Sequence, residues 1–91
     1  MLIDANQLRD ITVNVARAQF GQRIFARREI MNAVERELRR RQIWETEDDV
    51  DSKSADPKSK GLARIDYAIS ELKRRGGLLN VGRDRWKVPL G

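Results

Sequence analysis

Ten residues of this chain are candidates for binding a polyanion, and their spacing gathers them at three places: Arg27 and Arg28; Lys58, Ser59, Lys60, Arg64 and Tyr67; and Arg83, Arg85 and Lys87. The chemistry these types offer is recognition. The second group surrounds Gly61 at the start of a helix-like pattern, where free backbone N–H groups and the positive end of the helix dipole favour anions. Arg64 has the planar fork that pairs with guanine O6 and N7. Ala63 has a methyl for thymine, and the hydroxyl of Tyr67 has the reach of a phosphate or sugar. In the third group Arg85 and Lys87 lie two residues apart on a strand, so they share the face opposite Trp86 and can meet phosphates or a narrow minor groove. Plainer readings stand beside these: a solvated helix face for Lys60 and Arg64, a cover over the flank of the core for Tyr67, and a charge-protected edge strand for the arginines. Arg27 and Arg28 open a helix, where cations oppose the dipole, so another role is called for, and contact with a phosphate backbone is one candidate. Arg39-Arg40-Arg41 and Lys73-Arg74-Arg75 end helices, where the dipole accounts for them.

Reaction chemistry has little to work with. Histidine and cysteine are both absent, which removes the commonest general base and metal ligand, every thiolate and every disulfide. Carboxylates cluster only at Glu47, Asp48, Asp49 and Asp51, in a stretch that reads as loop, where nothing would hold them to the tolerance of a metal or acid/base site. No Gly-rich phosphate loop or Ser/His/Asp set is present. The expectation is a protein that is not an enzyme and uses no metal and no cofactor.

The elements that must position the basic groups are legible from periodicity. Asp4 or Asn6 caps a first helix running to about Gln19, with Leu8, Ile11, Val15 and Ala18 on its buried stripe, Val13 off it, and Gly21 as its stop. Residues 23–26 form a brief extended segment that pairs with the hairpin at the far end of the chain. A second helix spans about Arg27 to Arg41 and buries Ile30, Met31, Val34 and Leu38, although its start lacks a capping residue. Ile43 and Trp44 fold back onto the core as filler. Residues 45–60 read as a mobile acidic loop. A third helix from Gly61 to Arg75 buries Leu62, Ile65, Ile69 and Leu72 and shows Arg64, Tyr67, Ser70 and Arg74 on its other face. The hairpin sets Leu79 and Val81 on one arm and Trp86 and Val88 on the other, turning at Gly82-Arg83-Asp84, with Trp86 packed inward.

With 91 residues the chain has room for one small core, so a single domain spanning 1–91 is expected. The net charge of +5 hides a contrast: residues 45–56 hold six acidic residues and one basic, and the remainder carries +10. Such a body favours polyanions through counterion release and steering. No apolar run of the ~18 residues a bilayer requires and no signal-peptide order occur, so no membrane partner and a cytoplasmic location are expected.

The fold class expected is mostly α with a small β-hairpin. The order helix, short strand, helix, connection, helix, hairpin resembles the winged helix-turn-helix superfamily from about Leu2 to Pro89. Residues 63–79 and 81–88 look like the third helix and wing of DNA-binding modules attached to bacterial restriction and transcription proteins. The resemblance implies three helices with a short strand and two-stranded wing, double-stranded DNA as partner, the third helix in the major groove, and the wing on backbone or minor groove. It also implies that a larger protein can carry the domain. The connection of roughly 18 residues departs from the superfamily's short turn, and its acidity would repel phosphate unless it points away. The rival expectation is a winged helix used for protein contacts or as a homodimer, for which Val13 would serve.

Overall fold

A computed structural model describes residues 1–52 and 58–90. It is mostly helical, with α1 (Ala5–Phe20), α2 (Arg27–Arg40), a 3₁₀ turn (Thr46–Asp49), α3 (Lys60–Arg75), and a two-stranded antiparallel sheet of β1 (Leu79–Gly82) and β2 (Arg85–Lys87).

Each helix starts and stops for a local reason. Asp4 caps α1: its carboxylate accepts from Gln7 N at 2.9 Å while the Gln7 side chain accepts from Asp4 N at 3.0 Å, a reciprocal capping box. Gly21 ends it at φ 58°, in the left-handed half of the map. Ser59 caps α3 by accepting from Leu62 N, and Gly76, with φ 77°, closes it by donating to Leu72 and Lys73 carbonyls. The start of α2 is Ala26, which has no side chain to cap with. Glu29 instead reaches back to Ala26 N at 3.0 Å. The wing supplies the rest, since the Asp84 carboxylate accepts from Arg27 N at 2.9 Å across 57 residues of sequence.

The three helices and the hairpin close on one core. It holds Leu8, Ile11, Ala16 and Phe20 of α1, Ile30, Val34 and Leu38 of α2, Ile65, Ala68, Ile69 and Leu72 of α3, and Phe25, Leu78, Trp86 and Val88. Phe20 and Phe25 stack with ring centroids 4.4 Å apart. Phe25 and Trp86 exchange both backbone hydrogen bonds at 2.9 Å, so the expected pairing of the 23–26 segment with the hairpin occurs, as a single bridge.

Several expectations need correction. Ala18 is exposed and Val15 half-buried. Thr12, Ala16 and Phe20 are buried in their place, because α1 packs against both α2 and α3 and its buried face is correspondingly wide. Thr12 is tolerated there since its hydroxyl donates to Leu8 O at 2.7 Å. Val13 is half-buried and packs partly against the core. Met31 and Leu62 are half-buried, with Ala33 and Gly61 taking the inner positions. In the hairpin only the Trp86 arm faces inward: Leu79 and Val81 are exposed, at 38 and 47 %. The register explains it, because Leu79 pairs with Lys87 on the outer face while Asn80 lies opposite buried Trp86.

The largest difference is in the acidic connection, whose described part is not a free loop. Ile43 N and Trp44 N donate to Leu38 O, folding the chain back as expected. Beyond them, the 3₁₀ turn packs on α3, and its two limbs pair through Ser52 N to Lys58 O and Lys60 N to Val50 O, both at 2.7 Å. Gly61 makes this packing possible. A Cβ there would lie 2.4 Å from the Trp44 ring and 2.8 Å from Asp48 Cβ. The expectation of mobility for residues 53–57 lies outside the described residues.

Candidate nucleic-acid interface

The structure sorts the ten predicted residues by what already holds them. Arg27 is the most committed. Its Nε meets Asp66 Oδ1 at 2.6 Å, its Nη2 donates to Ser70 Oγ at 2.8 Å and to Asp66 O at 2.9 Å, and its guanidinium lies 5.2 Å from the Trp86 ring centre. It therefore ties α2 to α3 and β2, which also accounts for an arginine at a helix start. Lys58 completes the cluster, its ammonium 2.9 Å from Asp66 Oδ2. Partial burial by itself would raise the pKa of Asp66, but the hydrogen bonds from Lys58 and Arg27 outweigh it and hold the carboxyl below its ordinary range.

The α1 side of α3 is likewise occupied. Lys60 pairs with Glu47 at 2.5 Å. The Arg64 guanidinium donates to Ile3 O at 2.9 Å. Tyr67, 60 % exposed, walls a notch of about 240 Å³ together with Ala5, Leu8, Arg9, Ala63, Arg64 and Ala68. Ser59 spends its hydroxyl on the helix cap. Thus Lys60, Arg64 and Tyr67 face α1 and the acidic turn, whereas Arg27 and Lys58 face the wing, and the predicted site divides along α3.

Of the predicted cations, those that remain unbonded lie on the wing and at the start of α2. Among the described residues Arg28, Arg83, Arg85 and Lys87 have no ion pair, and the first three are exposed while Lys87 is half-buried. The Asp84 to Arg27 bond joins the wing tip to the first residue of α2, so Arg28 and Arg83 each sit one position from a bonded pair. Asp84 can bend there because it adopts φ 53°. A groove of about 450 Å³ runs beside this junction, lined by Arg27, Arg28, Asn32, Lys58, Asp66 and Asp84 among others. Asn32, exposed on α2 with both a donor and an acceptor, was not singled out by sequence reasoning, since a lone asparagine on a charged helix carries no pattern.

Several acidic side chains elsewhere are paired within the molecule. Glu37 takes Arg40 at 2.7 Å and Arg41 at 3.0 Å, which lowers it to about 2. Asp49 accepts from Trp44 Nε1 at 3.1 Å and Arg39 at 2.8 Å, and both contacts lower it. Asp48 is buried at 3 % exposure; it accepts from Glu45 N and holds the Met1 ammonium at 2.7 Å. Of the carboxylates read from sequence as unanchored, Glu47, Asp48 and Asp49 are thus anchored as ion-pair partners, whereas Asp51 is exposed. Among the described residues no group of three or more carboxylates is placed to share a metal ion, and no helix is long and apolar enough to cross a membrane. Comparison with known proteins gives no match, whether to family models, curated proteins or solved structures.

Proposed function

We propose that the chain is a winged helix-turn-helix domain, cytoplasmic and non-catalytic, that binds double-stranded DNA through the end where the wing tip meets the start of α2. One observation carries this reading: Arg27, Lys58 and Lys60 are each held by a carboxylate, whereas Arg28, Arg83, Arg85 and Lys87 have no ion pair among the described residues and gather at a single latched junction. Free cations on a projecting hairpin suit phosphate contact, which releases counterions and positions the protein without reading sequence. Lys60 and Arg64, held within the protein, contribute less than the wing.

The test is the salt dependence of affinity for a short duplex. Log affinity should fall against log salt with a slope of about 0.9 per phosphate neutralised, and Arg83→Ala with Arg85→Ala should reduce that slope by about 2. Arg64→Ala should change it by much less. Absence of binding at low salt, or a slope untouched by the wing variants, would overturn the proposal.

A further inference from the structure

The notch between α1 and α3 is a side-chain-sized apolar recess on an otherwise charged surface. Its floor is Leu8 and Ala68, both buried, and its wall is the exposed ring of Tyr67. Two guanidiniums rim it. Arg9 bonds the Asn6 side-chain oxygen and Arg64 the Ile3 carbonyl, both neutral acceptors, so neither charge is compensated by a carboxylate among the described residues. A tyrosine beside arginines around an apolar pocket is the composition of an interaction hot spot, and its complement is an aliphatic side chain flanked by carboxylates.

The chain carries such a complement on its own surface. Val50 is 44 % exposed and lies between Asp49 and exposed Asp51. It is also close at hand. Val50 O accepts from Lys60 N, the neighbouring Glu47 holds the Lys60 ammonium, and Lys60 precedes Arg64 by one helical turn on the same flank of α3. Apolar-basic notch and apolar-acidic turn are therefore neighbours on one patch. A patch built this way is self-complementary, because a two-fold axis between its halves brings each notch onto the other copy's turn and closes both contacts at once.

We infer that this patch is a homodimer interface, in which Val50 of one copy enters the Tyr67 notch of the other and Asp51 meets Arg64. The inference is independent of the DNA reading, since it uses neither the wing nor Arg28. The charged rim makes the association salt-sensitive, while the Val50 anchor gives it an apolar core.

Sedimentation equilibrium of the whole chain across concentration at low salt tests it. The mass should rise toward that of two chains, and Tyr67→Ala, which removes an exposed ring, should shift dimerisation to at least tenfold higher concentration. The decisive arm uses Arg64→Glu and Asp51→Arg as separate proteins. Each alone should stay monomeric, because like charges then face each other across both contacts. An equimolar mixture should dimerise, since each notch again meets an opposite charge. Circular dichroism of each variant before mixing shows whether it is folded; should Arg64→Glu unfold, Asp51→Arg, expected to stay monomeric, and Tyr67→Ala, expected to dimerise only at higher concentration, carry the test. A wild-type chain that stays monomeric to millimolar concentration overturns the inference, as does a dimer unaffected by these variants or a mixture that fails to associate. Any of these results leaves the wing's salt slope for DNA untouched, so the two proposals fail separately.

Discussion

Arg27 shows how one residue's role is set by its partners. Read along the chain it is a cation at the wrong end of a helix; in the fold it bonds Asp66 and Ser70 and lies over Trp86. Its removal leaves Asp66 with Lys58 alone at a half-buried position. Arg27→Ala should therefore destabilise the protein by about 2 kcal/mol, of the order expected for hydrogen bonds to a charged group with an added cation–π contact, and chemical denaturation would measure it. The same cluster predicts a pH effect. The carboxyl of Asp66 is lowered in the folded state, so its contribution is complete above the unfolded value of about 4 and is lost as pH falls through the lower folded value. The stability difference between wild type and Asp66→Asn should be constant from neutral pH down to about 4 and shrink below it. A difference that holds constant into stronger acid would show that Asp66 is not held in its charged form by this cluster.

At the scale of elements, α2 depends on the wing and α3 on the connection. The first N–H of α2 is satisfied by Asp84, 57 residues away, where a local Ser or Asp would ordinarily serve. Asp84→Ala should cost about 1 kcal/mol and loosen the wing tip, visible as faster hydrogen exchange at Arg27 and across the hairpin turn. An unchanged exchange pattern would mean the latch is not what seats the wing. Gly61 is the corresponding point for the connection. A methyl there meets the Trp44 ring at 2.4 Å, so Gly61→Ala should displace Trp44 from α3 despite alanine's higher helix propensity. Overpacking of this kind costs roughly 1–3 kcal/mol, and a changed Trp44 environment would appear in its fluorescence. Net stabilisation by this substitution would contradict the packing described.

For the whole molecule, a single core spans α1, α2, α3 and the hairpin, with Phe25 and Trp86 joining the α1–α2 connection to the hairpin. Unfolding should therefore be cooperative, with far-UV circular dichroism, which follows the helices, and tryptophan fluorescence, which follows Trp44 and Trp86, giving coincident transitions. An earlier fluorescence transition would show the hairpin or connection separating from the helices. Charge is also arranged at this scale. The body's +10 is offset unevenly: Lys60 and Arg39 are met by the acidic turn, while the wing is met by nothing comparable. That unevenness, more than the total, gives the surface its polarity.

The sequence by itself determined the helices, their stops and the hairpin, because these follow from local rules. Leu8 and Ile11, Val34 and Leu38, and Ile65 and Ile69 recur at helical spacing, Gly21 and Gly76 adopt positive φ, and Trp86 and Val88 alternate on a strand. The cap of α1, the fold-back of Ile43 and Trp44, and the bridge from Phe25 to the hairpin were legible for the same reason. Only the tertiary structure decided which cations are free. An ion pair needs two side chains within about 4 Å, and partners such as Arg27 with Asp66 or Lys60 with Glu47 lie 39 and 13 residues apart, beyond any periodic signal. It likewise decided that the acidic connection is partly packed, since that rests on the space left by Gly61. The division of the basic residues between the wing junction and the α1 notch follows from those pairings.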